Sequence, residues 1–292
     1  MAADPSAWSA DVLAPDARRR LAYHEAEVAA LAGREIVELD DGFLVVDASG
    51  SESWRSWAGG LRWPADAGEF DTRLGELITV FGAHGRRPSI RVDGAADQPA
   101  DLDRRLHRHG FRPADASLRM WLPRDRFDTV ARFAAQAHRR RLAGGTDEVA
   151  VALIGGPAAA DLGPMDPALD DAIAVMAAAF GVAPRRGAEL RAGIATGTTI
   201  GLVRAGDVAV AAGRSAFLDG AAYLSAIGVD PMWRRRGFGR IVTAALSVAA
   251  IRNGATVVHL NVDPANTNAW KMYVSLGFRA ASPAVVRFVL ER

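Results

Sequence analysis

Cysteine is missing from all 292 residues, which excludes disulfides, thiolate metal sites and a cysteine nucleophile. Lysine occurs once, at Lys271, so nearly all the basic charge is arginine, a bias that reads as the codon usage of a GC-rich genome. A surplus of either sign is missing too: 35 basic residues face 34 acidic ones, a formal net charge of +1. That balance argues against a general nucleic-acid partner, which needs positive charge gathered on one face. The chain does not open with basic residues followed by an apolar core, so no secretory signal is expected. Its longest apolar stretch, Ile241 to Ile251, is interrupted by Thr243 and Ser247 and is too short to span a bilayer. The expectation left standing is a soluble cytoplasmic protein with no membrane partner, long enough for two ordinary domains.

The stretch Val229-Asp-Pro-Met-Trp-Arg-Arg-Arg-Gly-Phe-Gly-Arg240 stands out. It follows a strand-like run, Ala222 to Val229, and opens the apolar helix-like run from Ile241. Four arginines and two glycines at a helix entrance suit an anion such as a diphosphate. Glycine lets backbone approach a ligand, and the first-turn N–H groups, which have no partner inside the helix, point outward with the dipole behind them. The usual nucleotide loops do not match, since no Lys-Ser/Thr follows the second glycine and no third glycine falls at dinucleotide-binding spacing. The same pattern also occurs as plain turn geometry.

Further along stands Asn266-Thr-Asn-Ala269-Trp-Lys-Met-Tyr273-Val-Ser-Leu-Gly277-Phe278. Arg-x-x-Gly-x-Gly at Arg234 to Gly239, followed by Asn-x-x-Ala-x-x-x-Tyr-x-x-x-Gly-Phe at Asn266 to Phe278, resembles the GNAT family, the GCN5-related N-acyltransferases. The resemblance implies an α/β fold (strictly α+β) of two tandem GNAT-like domains, each a mixed, mostly antiparallel sheet flanked by helices. It covers residues 147 to 292 well and the first half weakly.

An internal repeat supports the tandem reading. Leu106-His-Arg-His-Gly110-Phe111 resembles Tyr273-Val-Ser-Leu-Gly277-Phe278, an offset of 277 − 110 = 167 residues. Each follows a strand ending in Val-Asp, at Val92-Asp93 and Val262-Asp263. A period of domain length marks a duplication rather than a solenoid. The expected organisation is a degenerate GNAT-like domain over 1–123, a connecting helix and linker over 124–146, and a catalytic domain over 147–292. The first copy has no cofactor loop before its Glu69 helix and no tyrosine matching Tyr273, so it is not expected to bind cofactor in the same way. Two unrelated α/β halves sharing a Gly-Phe turn are the alternative.

Coarse patterning predicts strands over 34–39, 43–48, 88–93, 117–122, 148–154, 198–204, 208–217, 222–229 and 256–262, and a final strand pair. It predicts helices over 16–32, with Asp16 as cap, and over 69–81, 101–109, 124–142, 167–180, 185–195 and 241–251, with another at Asn266. Residues 49–68 read as irregular.

The resemblance implies the chemistry as well. Backbone at Ile227, Gly228 and Val229 would pair with the pantetheine arm of acetyl-CoA, and one N–H there would polarise the thioester oxygen. Amides from Arg235 through Gly237, Phe238 and Gly239 to Arg240 would cradle the diphosphate, with Arg234, Arg235, Arg236 and Arg240 supplying charge. Asn266 matches the position that touches the cofactor arm, and Tyr273 the phenol that protonates the departing thiolate. No metal is implied. Many family members carry a glutamate base on the strand before the loop, but Tyr223-Leu-Ser-Ala-Ile-Gly-Val229 has no carboxylate. Asn261 stands where the branch that acetylates protein N-termini has a glutamate, Asp230 reads as a turn residue, and His259, on a strand face, reads equally as a base or as structural. The expectation is that no single side chain is the base and that the proton leaves through water, by a chain touching Ser225 or Asn261, or that the amine binds already neutral. The function expected is transfer of acetyl from acetyl-CoA to a small-molecule primary amine by a monomer or homodimer. A protein or peptide N-acetyltransferase and a non-catalytic acyl-CoA sensor or scaffold are the rivals.

Overall fold

The computed structural model describes residues 13–49, 55–137, 149–156, 167–181, 197–281 and 283–291. The chain start, the arginine run 139–141, the Gly-Gly-Thr linker and the expected helix over 185–195 lie outside these. The chain divides into two compact units. The N-terminal unit is built on Asp11–Arg119 with Val262–Asn266 and Ala280–Arg292, and the C-terminal unit on Met120–Asn261 and Thr267–Arg279.

In the N-terminal unit, helix α1 (Pro15–Leu31) leads into β1 (Glu35–Leu39), β2 (Gly42–Val46) and β3 (Trp57–Gly59). Helix α2 (Ala67–Ala83), β4 (Ser89–Asp93), α3 (Leu102–Arg108) and β5 (Phe111–Leu122) follow. The α1 N-cap is Ala14 with no side-chain bond, so Asp16 does not cap it but pairs with Arg19. Short β3 lies in the Trp-, Gly- and Ser-rich stretch read as irregular, because three residues are too few to show a period. The β1–β2 and β2–β3 pairs are antiparallel, and after the α2 crossover β4 pairs parallel to β3.

The C-terminal unit repeats this order. A single 3₁₀ turn at Arg124–Arg126 enters helix α4 (Phe127–Ala137). Then come β6 (Val149–Gly155), helix α5 (Pro167–Phe180), and the antiparallel meander β7 (Thr198–Ala205), β8 (Val208–Leu218) and β9 (Ala221–Val229). The crossover helix α6 (Phe238–Arg252) then leads to β10 (Val257–Val262), which pairs parallel to β9, and to α7 (Thr267–Ser275). The equivalent turns Asp93-Gly-Ala95 and Asp263-Pro-Ala265 each have an aspartate Oδ1 accepting from the alanine N–H two residues on. Among the described residues no helix is long and apolar enough to cross a membrane.

The boundary expected at 147–292 does not coincide with the compact units. After the two-residue β11 (Arg279–Ala280), the last strand, β12 (Val285–Leu290), pairs antiparallel with both β4 and β5 in the N-terminal unit. Sequence patterning gives a strand its faces but not its neighbours, so this membership could not be read in advance. Phe288 packs there with Ile90, Leu106 and Phe111.

Helix α1 buries charge as well as apolar area. Arg18, Leu21, Ala22, Glu25, Val28 and Ala29, spaced by three and four, are all buried. Arg18 holds the Asp93 carboxylate with Nε at 2.9 Å and Nη2 at 2.6 Å, and Arg119 Nη1 reaches the same group at 3.1 Å. Arg119 Nε then donates to Glu25 at 3.0 Å, and Arg91 to the other Glu25 oxygen at 3.4 Å, while the Arg91 guanidinium lies 3.9 Å over the Trp57 ring. Asp97 Oδ2 accepts from the Asp93 N–H at 2.7 Å, while Oδ1 has no hydrogen-bond partner among the described residues. Burial pushes the Asp97 carboxyl up to about 7, and the negative charge of Asp93 adds to this against the opposing pull of the Asp93 N–H and Arg119.

Two predictions follow from this packing. Phe288→Ala should destabilise the protein by about 3–5 kcal/mol and remove hydrogen-exchange protection from β4 and β5 before β7 to β9. Loss confined to β7 to β9 would contradict the pairing. Because the folded-state pKa of Asp97 is raised, its contribution is full below the ordinary carboxylate pKa and is lost as pH rises toward about 7. Asp97→Asn should therefore shrink the difference between urea midpoints measured at acidic and at slightly alkaline pH. An unchanged difference would show that Asp97 ionises normally.

Candidate active site

The loop between β9 and α6 is built from local backbone rules. Asp230 Oδ1 accepts from Met232 N–H at 2.8 Å and caps the 3₁₀ turn Pro231–Trp233, which is the turn role expected of it. Arg235 (φ 65°) and Gly237 (φ 89°) are both left-handed, and such alternation curls successive N–H groups inward into an anion-binding concavity. Gly237 is the N-cap of α6 and offers no side chain to the first-turn amides. The α6 ladder starts with Arg240 and Ile241 donating to Gly237 O, which leaves the Phe238 and Gly239 N–H groups without intrahelical acceptors. Phe238 is buried edge-on against Trp233 and anchors the turn. Gly239 serves packing: a Cβ there would lie 3.3 Å from Val229 Cγ2 and 3.4 Å from Met272 Sδ.

The four arginines divide by environment. Arg234 is exposed and donates to Val229 O (3.4 Å) and Ala179 O (3.1 Å). Arg236 is exposed with its guanidinium 4.9 Å over the Trp233 ring, and Arg235 is exposed on the loop. Arg240 is half-buried, 4.0 Å over the Phe133 ring of α4, with Nη2 on Ser275 O at 3.3 Å. Its role in packing had no sequence signal.

Among the described residues, the end of strand β9 has no strand partner on its β10 side. Its pairing with β10 runs from Ala221↔Val257 to Leu224↔Leu260 and stops, although β9 continues to Val229. Over the same stretch the β8 register shifts between Ala212↔Gly228 and Arg214↔Ser225, and Ala226 is left-handed at φ 51°. A bulge of this kind re-aims the residues around it. Ser225 Oγ accepts from Arg214 Nε at 2.7 Å. Gly228 is required by its neighbours, since a Cβ would come within 2.6 Å of Ala179 Cβ. Ile227 and Val229 are half-buried on either side of it.

Tyr273 lies on α7, 6% exposed, its ring 5.9 Å from that of Phe278. Burial pushes its phenol up to about 12, and the nearby Tyr223 adds to the rise. Asn266 is exposed in the turn before α7, its N–H on Asp263 O at 2.8 Å.

A further cluster was not legible beforehand. Tyr223 and His259 are register partners on β9 and β10, with ring centroids 5.0 Å apart. Asn261, two residues along β10, donates Nδ2 to the Tyr223 hydroxyl at 3.3 Å. His259 is fully buried. Period-2 patterning could pair His259 with Asn261 on one face, but parallel register is not written in sequence.

The N-terminal unit lacks both halves of this arrangement. Its crossover helix α2 is N-capped by Asp66, whose carboxylate accepts from Gly68 N (2.9 Å) and Glu69 N (3.0 Å), so an acid occupies the first-turn amides. Leu106, in the place of Tyr273, is fully buried in the core.

Residues 199–287 match the family model described as FR47-like protein. No curated protein matches the sequence. Among solved structures, the chain is similar to a GCN5-related N-acetyltransferase from Kribbella flavida, at 18% identity over 94% of this chain and 95% of the other, TM-score 0.63. It is similar to a tandem GNAT protein from the clavulanic acid biosynthesis pathway, at 13% identity over 87% and 81%, TM-score 0.59. It is also similar to a GCN5-related N-acetyltransferase from Sphaerobacter thermophilus, at 17% identity over 99% and 93%, TM-score 0.55. The chain thus carries an FR47-like, GNAT-type domain at residues 199–287 within the fold of the GCN5-related N-acetyltransferases, the tandem form included.

Proposed function

We propose that the chain is an acyl-CoA-dependent N-acyltransferase, moving acetyl from acetyl-CoA to the primary amine of a small molecule by direct attack in a ternary complex. The observation that carries the reading is the uncapped entrance of α6, with left-handed Arg235 and Gly237, next to a β9 edge that has lost its strand partner. A cradle of amides beside an open strand edge fits a diphosphate joined to an amide-bearing arm.

In this reading the N–H groups from Arg235 to Gly239 hold the diphosphate, the Arg240 N–H expected to join them being taken by Gly237 O, and Arg234, Arg235 and Arg236 add charge at the exposed rim. Arg240 adds its charge from one turn inside the helix. The free edge at Ile227, Gly228 and Val229 pairs with the pantetheine arm, and one of its N–H groups polarises the thioester carbonyl. Asn266 borders the arm at the start of α7. Tyr273 donates to the departing sulfur. With its phenol pushed up to about 12 by burial, it carries its proton throughout the neutral range. The acceptor site lies outside these residues, and the small-amine preference rests on Asn261, which brings no carboxylate to attract a basic peptide.

Calorimetry with coenzyme A and a thiol-release assay across a panel of amines test the reading. The native protein should bind coenzyme A. Gly237→Ala, forced to φ 89°, should weaken that binding by about tenfold or more. Tyr273→Phe should bind normally and lose about 10²-fold in turnover. Absence of binding by the native protein would remove the proposal, and full turnover by Tyr273→Phe would remove the role of the phenol.

A further inference from the structure

Helix α5 carries its buried stripe on to an exposed aromatic residue. Leu169, Ala172 and Met176, spaced by three and four, are buried with Ile200 and Leu202 of β7 and Ala212 of β8. The next position on that stripe, four residues on, is Phe180, and it is 49% exposed. The helix ends there because Gly181, left-handed at φ 63°, returns its N–H to Ala177 O at 2.8 Å. We propose that Phe180 is a binding residue for the apolar segment of the coenzyme A arm, and that Arg234 is its positioning residue. The proposal rests on the acyl-transfer reading above and assigns the recognition of the arm separately from that of the phosphates.

Three observations carry it. First, the ring meets the backbone of β9. A Cβ on Gly228 would come within 3.1 Å of Phe180 Cε2 and 2.6 Å of Ala179 Cβ, so the ring edge lies against bare main chain. Second, Gly228 is the last residue but one of β9, on the stretch beyond Leu224 that has no β10 pairing. From there the chain turns to the α6 entrance at Gly237. An arm that leaves a diphosphate at that entrance and runs back along β9 passes Gly228 with its first segment. That segment is the pantoyl unit, whose two methyl groups are its bulkiest apolar part. Third, one guanidinium ties helix to strand. Arg234 Nε donates to Val229 O at 3.4 Å and Nη2 to Ala179 O at 3.1 Å. Ala179 O is among the last carbonyls of α5, which lack partners inside the helix, and the dipole favours a cation there. The planar fork holds both carbonyls in one geometry, which a lysine ammonium does not.

The arrangement gives the site a way to tell carriers apart. Amides that bind a diphosphate do so whatever else the molecule carries. Methyl groups that cover the Phe180 ring take apolar surface out of water, a gain that a nucleotide without the arm cannot make. Because Arg234 fixes the end of α5 before the carrier arrives, little ordering is left to be lost on binding. The two residues thus separate coenzyme A from other adenine nucleotides.

Calorimetry with two probes tests this: coenzyme A, and its fragment 3′-phospho-ADP, which keeps the diphosphate and lacks the arm. Phe180→Ala should weaken coenzyme A by about tenfold and leave the fragment within about twofold. Phe180→Leu should restore most of the loss. Arg234→Lys, which keeps the charge, should weaken coenzyme A by about fivefold, again with the fragment within about twofold. The Phe180→Ala/Arg234→Lys double variant should be little worse than Phe180→Ala alone, because Arg234 acts through the ring. Unchanged coenzyme A affinity in Phe180→Ala, or equal weakening of both probes by either variant, would overturn the inference while coenzyme A binding by the native protein stood. Absence of that binding would remove the acyl-transfer reading and the inference together.

Discussion

Beyond Leu224 and Leu260 the two parallel strands at the centre of the C-terminal unit stop pairing, and the proposed chemistry depends on that parting. A strand edge inside a sheet is normally saturated, and an open one exposes N–H and C=O groups in a ready ladder. Here the edge is only five residues long and bulged, with Ala226 left-handed, which blunts it as a site of aggregation. The same parting puts the α6 entrance at the end of β9. The backbone leaving Val229 turns through the Asp230-capped 3₁₀ turn and arrives at Gly237 with its first-turn amides unclaimed.

The N-terminal unit shows what the same topology does when its groups are used internally. It has the same meander, crossover helix and parallel fourth strand. Its crossover helix takes an aspartate cap where the other takes a glycine. A carboxylate already satisfying those amides offers repulsion to a phosphate in place of a vacant donor set. At the end of β4, Asp93 is held by Arg18 and Arg119, and the equivalent Asp263 is an exposed turn residue. A buried pair of this kind is weak evidence for stability, but removing one member strands the other charge. The unit is thus committed to a packed, ion-paired interior.

Much of this was legible in sequence, and what was legible shares a physical cause. Helix α5 could be bounded at Pro167 and Phe180 because its apolar residues recur at helical spacing and a proline opens it. The β7–β9 meander was marked by Gly206-Asp207 and Asp219-Gly220 turns. The α6 loop was legible because glycine at a left-handed N-cap has few substitutes. What could not be read is non-local. Arg18 and Glu25 look like a solvated face until Asp93 and Arg119 are brought from elsewhere in the chain. Tyr223 meets Asn261 only through parallel register across an intervening helix. Gly239 was read as making room for a ligand, whereas Val229 and Met272 crowd that position. Glycine marks a close approach without saying of what.

The placement of β12 makes the N-terminal unit depend on residues far along the sequence. The last strand of the chain lies between β4 and β5, with Phe288 in the core of the N-terminal unit and Arg87 bonded to Leu290 O across 203 residues. Closing so long a loop costs little more entropy than closing a shorter one, because the cost grows only with the logarithm of length. The consequence is therefore kinetic and topological. The N-terminal sheet cannot be completed until the whole chain is made, and the chain cannot be cut between its two repeats without leaving β4 and β5 unpaired along one edge. With β12 placed as it is, removal of residues 285–290 would leave β4 and β5 with open apolar edges inside the N-terminal unit.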